Sequence, residues 1–140
     1  MKIQPYLFFN GKCDEAIAFY GRALGAQVTN LMRFKESEEA MKSGTVPADF
    51  GDKVMHANLK VGDQEFMVSD GMTKEKQTFK GVSLTITVDN DAEADRVFNA
   101  LSKDGQVKMP MNKTFFASRF GMLADQFGVE WMVLSPPKSA

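Results

Sequence analysis

One histidine and one cysteine stand among 140 residues, and each scarcity closes off a kind of chemistry. A lone cysteine, Cys13, can form no intrachain disulfide and cannot build a multi-cysteine zinc shell. The missing disulfide framework fits a reducing compartment, so the expected location is cytoplasmic. With His56 the only imidazole, nothing resembles a Ser-His-Asp or Cys-His set beyond residues scattered along the chain. Cys13 falls at an expected helix start, where a thiolate would be stabilised, yet it has no second histidine to pair with and reads as a structural thiol. No apolar run approaches the roughly 20 residues needed to cross a bilayer, and the opening MKIQPYLFFNGK is too short in apolar residues for a signal peptide. An excess of either charge is also missing. Seventeen basic residues are scattered among eighteen acidic ones, for a net charge of -1. Neither nucleic acid nor an anionic membrane is an expected partner, because both call for a concentrated basic face.

What the chain does have is repetition. Residues 2–9, KIQPYLFF, read as a strand, and Asn10-Gly11 turns the chain. Residues 13–24 then place Ala16, Ile17, Phe19, Tyr20 and Leu24 at helical spacing, with Gly25 where a helix ends. AQVTNLMRF resumes as a strand. Further on, VSLTITV alternates, DAEADRVFNALSKDG is amphipathic and closes at Gly105, and QVKMP resumes as a strand. Phe19 matches Phe98, Gln27-Val28 matches Gln106-Val107, and Asp14 matches Glu93, all at an offset of 79. Glu65-Phe66-Met67-Val68 returns as Glu130-Trp131-Met132-Val133 at an offset of 65. The difference is an extra segment in the first half, 34–52, charged and without steady period, which predicts a long mobile loop.

Each half therefore reads as strand–helix–strand–strand–strand. The expected fold is α+β, two β-α-β-β-β repeats forming a concave mixed sheet within a single domain, 1–140. The first module spans 1–70 with its loop 34–52, and the second spans 79–136. One helix covers only one face of a sheet, so two such units must pair, within a chain or between chains. A concave sheet is a natural small-molecule site.

His56 lies in KVMHANLKV, where Val54, His56, Asn58 and Lys60 alternate with Met55, Ala57, Leu59 and Val61. That pattern predicts a half-buried strand with the imidazole on its more polar face. An imidazole titrates near neutrality, so His56 can be read as a metal ligand, as a general base, or as a hydrogen-bonded polar residue of a cavity wall.

The opening PYLFFNGKCDEAIAFYGRALGA, the central MHANLKVGDQEFMVSD and the closing FGMLADQFGVEWMVLS resemble the PhnB-like branch of the vicinal-oxygen-chelate superfamily, which includes glyoxalase I, extradiol dioxygenases and bleomycin-resistance proteins. The resemblance covers nearly the whole chain. It implies four metal-ligand positions on the concave face, which fall here on Pro5, His56, Ser83 and Met132. Only His56 among them is a good ligand for a divalent ion, so the expected protein binds without a metal or other cofactor. A rebuilt metal set of His56, Glu65 and Glu130 is the weaker alternative. Branch members often carry a label tied to methylation of demethylubiquinone, but the sequence has no glycine-rich nucleotide loop after a first strand.

The same resemblance implies a cavity lining. His56 and Asn58 face inward, with Ser83, Thr85 and Thr87, and so do Glu65, Met67 and Ser69 and their repeats Glu130, Met132 and Leu134. Phe66, Val68, Trp131 and Val133 then pack under the helices. The two methionines could shape an adaptable pocket. Phe115, Ala117 and Arg119 alternate onto one face, and an arginine there could clamp a carboxylate or phosphate. Asp70 and Asp125 read as turn residues. Three functions fit: a metal-independent binder of a small, partly apolar metabolite or xenobiotic, an enzyme using His56 with a metal or with Glu65 or Glu130 as acid and base, and a scaffold with a vestigial cavity. The resemblance also implies a homodimer.

Overall fold

A computed structural model describes residues 1–138. The chain divides into two compact units, Met1–Gln77 and one beginning at Thr78.

In the first unit, β1 (Tyr6–Phe8), β2 (Gln27–Arg33), β3 (Val54–Val61) and β4 (Gln64–Ser69) form a four-stranded sheet in the order β1-β4-β3-β2. β1 runs parallel to β4, and the other pairs are antiparallel. Helix α1 (Cys13–Leu24) ends as its sequence predicts, with Gly25 left-handed at φ 69° and its N–H donating to Gly21 and Tyr20 carbonyls. Its apolar stripe, Ala16, Phe19, Tyr20 and Ala23, is buried together with Leu7, Ala57, Leu59, Phe66 and Val68 of the sheet. Tyr20 packs edge-on against Phe66, with ring centroids 6.0 Å apart.

The second unit repeats this plan. β5 (Leu84–Thr87), β6 (Gln106–Asn112), β7 (Arg119–Ala124) and β8 (Glu130–Ser135) are ordered β5-β8-β7-β6, again with one parallel pair. Its helix, α3 (Asp91–Ser102), is capped by Asn90, whose side chain accepts from the Glu93 N–H at 2.8 Å. Ala94, Val97, Phe98 and Leu101 of α3 are buried, as are Leu123, Trp131 and Val133 of the strands. Phe66, Val68, Trp131 and Val133 thus take the core positions expected of them. Pro110 breaks no ladder, because β6 is an edge strand.

The strand ends are tied to the helix starts in both units, with the chemistry reversed. Asp70, just past β4 and fully buried, accepts from the N–H groups of Gly11 and Cys13 at 2.8 Å each and of Val54 at 2.9 Å. It caps α1 from outside, since Lys12 supplies no side-chain cap. In the second unit Ser135 sits at the corresponding place and donates to Asp91 of α3 at 2.7 Å, with Ser118 donating to the same carboxylate at 3.0 Å. These hydroxyls hold the Asp91 carboxyl below its ordinary pKa.

The segment 34–52 is not the irregular loop its composition predicts. It holds a 3-10 turn (Phe34–Glu36) and a short helix α2 (Glu38–Lys42), whose start is capped by the Ser37 hydroxyl accepting from Ala40 N–H at 3.1 Å. Its two ends are fastened by Phe34 and Phe50, buried with ring centroids 5.9 Å apart, and by the Lys35 N–H donating to the Gly51 carbonyl. Two aromatic anchors so far apart in sequence leave no local period to read. Among the described residues no helix is long and apolar enough to cross a membrane.

Candidate functional site

Each helix lies on one side of its sheet, so the chemistry is to be found on the other. In β3, Ala57 and Leu59 are buried toward α1, which turns His56 and Asn58 to the opposite face. Register adds their neighbours: Asn58 pairs with Met67, Met67 pairs with Tyr6, and Met32 pairs with His56. Tyr6 and Phe8 flank the buried Leu7 and are each 37% exposed, with stacked rings 4.8 Å apart.

A hydrogen-bond chain crosses this face. The Tyr6 hydroxyl lies 2.7 Å from His56 Nδ1, and His56 Nε2 lies 2.6 Å from Asn58 Oδ1. With the Asn58 carbonyl oxygen turned to the ring, Nε2 is the donor, and in the neutral imidazole Nδ1 then accepts from the Tyr6 O–H. Partial burial raises the Tyr6 phenol above its ordinary pKa, which keeps that proton in place at neutral pH. The Tyr6 ring stands edge-on to the imidazole at 5.4 Å. Both nitrogens of the one histidine are thus occupied within the protein.

At the metal-ligand positions that the resemblance implies, the first unit offers no second ligand to this imidazole. Pro5 has the parity of Leu7, on the helix side, and its carbonyl is used in the sheet by the Met67 N–H. The first-strand residue on the face of His56 is Tyr6, one position later. Glu65 pairs with Lys60, four residues along β3 from His56, or about 13 Å at ~3.3 Å per residue. At that backbone separation both side chains would have to stretch along the sheet toward each other to share an ion, with each donor about 2 Å from it. Glu65 accepts instead from the Thr29 hydroxyl at 3.1 Å, and Glu130 is paired with Lys108 at 2.6 Å. Among the described residues no three His, Cys, Asp or Glu side chains are grouped to hold a metal ion. The donor set does not fit a divalent metal.

In the second unit, Thr85 pairs with Met132 and Met132 with Met122, as Tyr6 pairs with Met67 and Met67 with Asn58. Thr85, Glu130 and Met132 therefore share that sheet's helix-free face, and Ser83 lies one residue before β5. The counterpart of His56 there is Phe120, so the polar chain has no twin. Two expected site residues do not join this face. Arg119 has the parity of Gly121, which abuts Phe98 of α3, and its guanidinium donates to Asp95 of the same helix at 2.7 and 3.0 Å. Phe115 sits in the turn between β6 and β7 and is 97% exposed. The three residues expected to alternate onto one face do not do so, because β7 begins only at Arg119, and the helix lies on the side of Arg119. Cys13 is fully buried, and burial, with the carboxylates of Asp70 and Asp14, raises its thiol pKa away from any nucleophilic role. A cleft of about 410 Å³ is lined by Asp89, Asn90, Asp91, Ala92, Pro136 and Lys138, none of them a residue of the hydrogen-bonded chain.

Sequence reasoning missed Tyr6 and Phe8, which KIQPYLFF hides in an unbroken apolar run. The repeat holds the signal: subtracting the offset of 79 from Thr85 and Thr87 gives Tyr6 and Phe8.

Two mixed four-stranded sheets, each a β-α-β-β-β unit, define the glyoxalase/bleomycin-resistance fold. A glyoxylase/bleomycin resistance protein/dioxygenase domain from Frankia sp. EAN1pec shares that fold with a TM-score of 0.70 at 13% identity, over 98% of both chains. The chain belongs to a particular family within it, the PhnB-like family described as 3-demethylubiquinone-9 3-methyltransferase, whose model matches residues 1–134. It is 43% identical to protein PA1353 from Pseudomonas aeruginosa, covering 99% of each chain with a TM-score of 0.85. It is 33% identical to Protein YjdN of Escherichia coli (strain K12), covering 95% of this chain and 94% of that one.

Proposed function

We propose that this chain binds a small, partly apolar molecule, a metabolite or xenobiotic, on the helix-free face bearing Tyr6, His56 and Asn58, without a metal. The supporting observation is the Tyr6–His56–Asn58 hydrogen-bond chain, set among half-exposed Tyr6 and Phe8 rings and the thioethers of Met32 and Met67. Apolar surface with a few fixed polar groups is the composition of a small-molecule site. Binding is favoured over catalysis, including the methyl transfer that the family description names, because the only imidazole already uses both nitrogens. Neither glutamate stands as its partner: Glu65 is about 13 Å along the sheet, and Glu130 is engaged by Lys108. Each sheet has one helix and a second face still partly open, with Met32 at 41% and Met109 at 45% exposure. This supports assembly as a homodimer.

The test is metal analysis of protein purified without a histidine tag or chelator, together with a thermal-shift screen of small neutral and charged compounds. The expected result is no stoichiometric metal, with compounds that raise Tm in the parent but not in His56→Ala. A stoichiometric metal that disappears in His56→Ala would overturn the reading. If no compound shifts Tm, a scaffold function replaces it.

A further inference from the structure

The hydrogen-bond chain also dictates what the bound molecule looks like, provided that the binding reading above is right. The Tyr6 proton is given to His56 Nδ1, so Tyr6 Oη presents only lone pairs to a ligand. Asn58 Oδ1 is taken by His56 Nε2–H, so Asn58 offers chiefly its Nδ2 hydrogens. One end of the chain asks for a donor and the other for an acceptor. Between them lie the imidazole and two hydrogen bonds of 2.7 and 2.6 Å. A single amide group is too short to meet both ends, so the ligand's donor and acceptor sit on separate groups.

Net charge is disfavoured by the neighbours. Met32 faces His56 from β2, Met67 faces Asn58 from β4, and Tyr6 and Phe8 come from β1. Lys60 and Glu65, the next same-face residues beyond Asn58 and Met67, stand opposite each other, and Arg33 pairs with Val54. The Arg33 guanidinium is held by Asp14 at 2.9 and 3.1 Å and by the Asp52 carbonyl. A charged ligand would lose hydration against the Tyr6 and Phe8 rings, and Lys60 with Glu65 opposite it offers no net counter-charge.

We propose that the face selects an uncharged, flat ring compound with a hydroxyl or N–H at one end and a carbonyl at the other. The donor meets Tyr6 Oη, the carbonyl meets Asn58 Nδ2, and the ring lies against Tyr6, Phe8 and Met67. Four probes separate these elements, with affinities measured by NMR titration: para-hydroxyacetophenone, para-methoxyacetophenone without the donor, para-ethylphenol without the carbonyl, and para-hydroxybenzoate with a charge.

The hydroxyketone should bind tightest, roughly three- to tenfold over each of the other three, the range of one hydrogen bond. Tyr6→Phe should erase its advantage over the methoxy compound, and Asn58→Ala its advantage over ethylphenol. Nitrogen-15 NMR of the imidazole, which needs no ligand, should show the proton on Nε2. A proton on Nδ1 would overturn the assignment of donor and acceptor ends, and tightest binding by the carboxylate would overturn neutrality. Equal binding of all four, or none by any while the wider screen yields binders, would sink this proposal and leave the binding reading standing. Silence in both would remove both.

Discussion

At the scale of single residues, the most consequential side chain outside the face of His56 is Asp70. It is fully buried and serves three backbone N–H groups from three segments, around Gly11, the start of α1 and the start of β3. Asp70→Ala should cost at least about 3 kcal/mol in urea denaturation, since each buried donor left unmet costs about 1–3 kcal/mol. Asp70→Asn should cost less, because one oxygen remains. A cost for Asp70→Ala near zero would mean that water replaces the carboxylate. Two glycines make a second contrast. A Cβ on Gly105 would lie 2.3 Å from the Ala124 carbonyl oxygen, whereas one on Gly121 would lie 2.6 Å from the Met111 sulfur and the Phe98 ring. Side chains can shift and backbone cannot, so Gly105→Ala should lower Tm more than Gly121→Ala, which is expected to cost about 1–3 kcal/mol. The reverse order would show that Met111 and Phe98 yield less than the Ala124 backbone. Residue types alone did not reveal either effect: Asp70 and Gly105 look like ordinary turn residues, and only their neighbours distinguish them.

At the scale of elements, segment 34–52 is held at its ends more than along its length. Phe34 and Phe50 are buried against each other, while α2 buries no residue. Phe50→Ala should therefore cost about 3 kcal/mol, the lower range for a buried phenylalanine. It should also speed amide exchange at Lys35, whose N–H bonds Gly51, more than at Leu59 in the middle of β3. Uniform acceleration across both would mean that the segment unfolds only with the whole unit. The helices, the order of elements along the chain and the core residues were legible in the sequence, because periods of 3.6 and 2 and a twofold repeat are local signals. Segment 34–52 was not, because its order comes from two aromatic side chains meeting across sixteen positions. Arg119 failed for a related reason: alternation shows which residues share a face, but not which face the helix covers.

For the molecule as a whole, acid should destabilise through a set of partnered carboxylates. Asp91, held by Ser135 and Ser118, Glu93 by Arg96, Asp49 by Lys74 and Asp52 by Lys35 all have pKa values below their ordinary ones. A depressed folded-state pKa contributes stability that is present above the unfolded value, about 4, and is lost as pH falls through the folded value. Tm should therefore be flat near neutrality and fall below about pH 4, and Asp91→Asn should reduce that fall. An unchanged acid profile in Asp91→Asn would place the effect elsewhere. Sedimentation at micromolar concentration should show a homodimer, and a monomer there would count against the assembly proposed above.

The sequence by itself determined the two β-α-β-β-β units, their helices with the Gly25 cap, and the place of His56 on a polar strand face, because these follow from spacing along the chain. Only the tertiary structure decided what surrounds that histidine. Parallel pairing of β1 with β4 brings Tyr6 beside Met67 and its hydroxyl to the imidazole, while β3–β4 register carries Glu65 away from it. Strand register is settled by contacts between distant segments, and a shift of one residue exchanges the two faces. That single step separates Pro5, where a metal ligand was sought, from Tyr6, which occupies His56 Nδ1 instead.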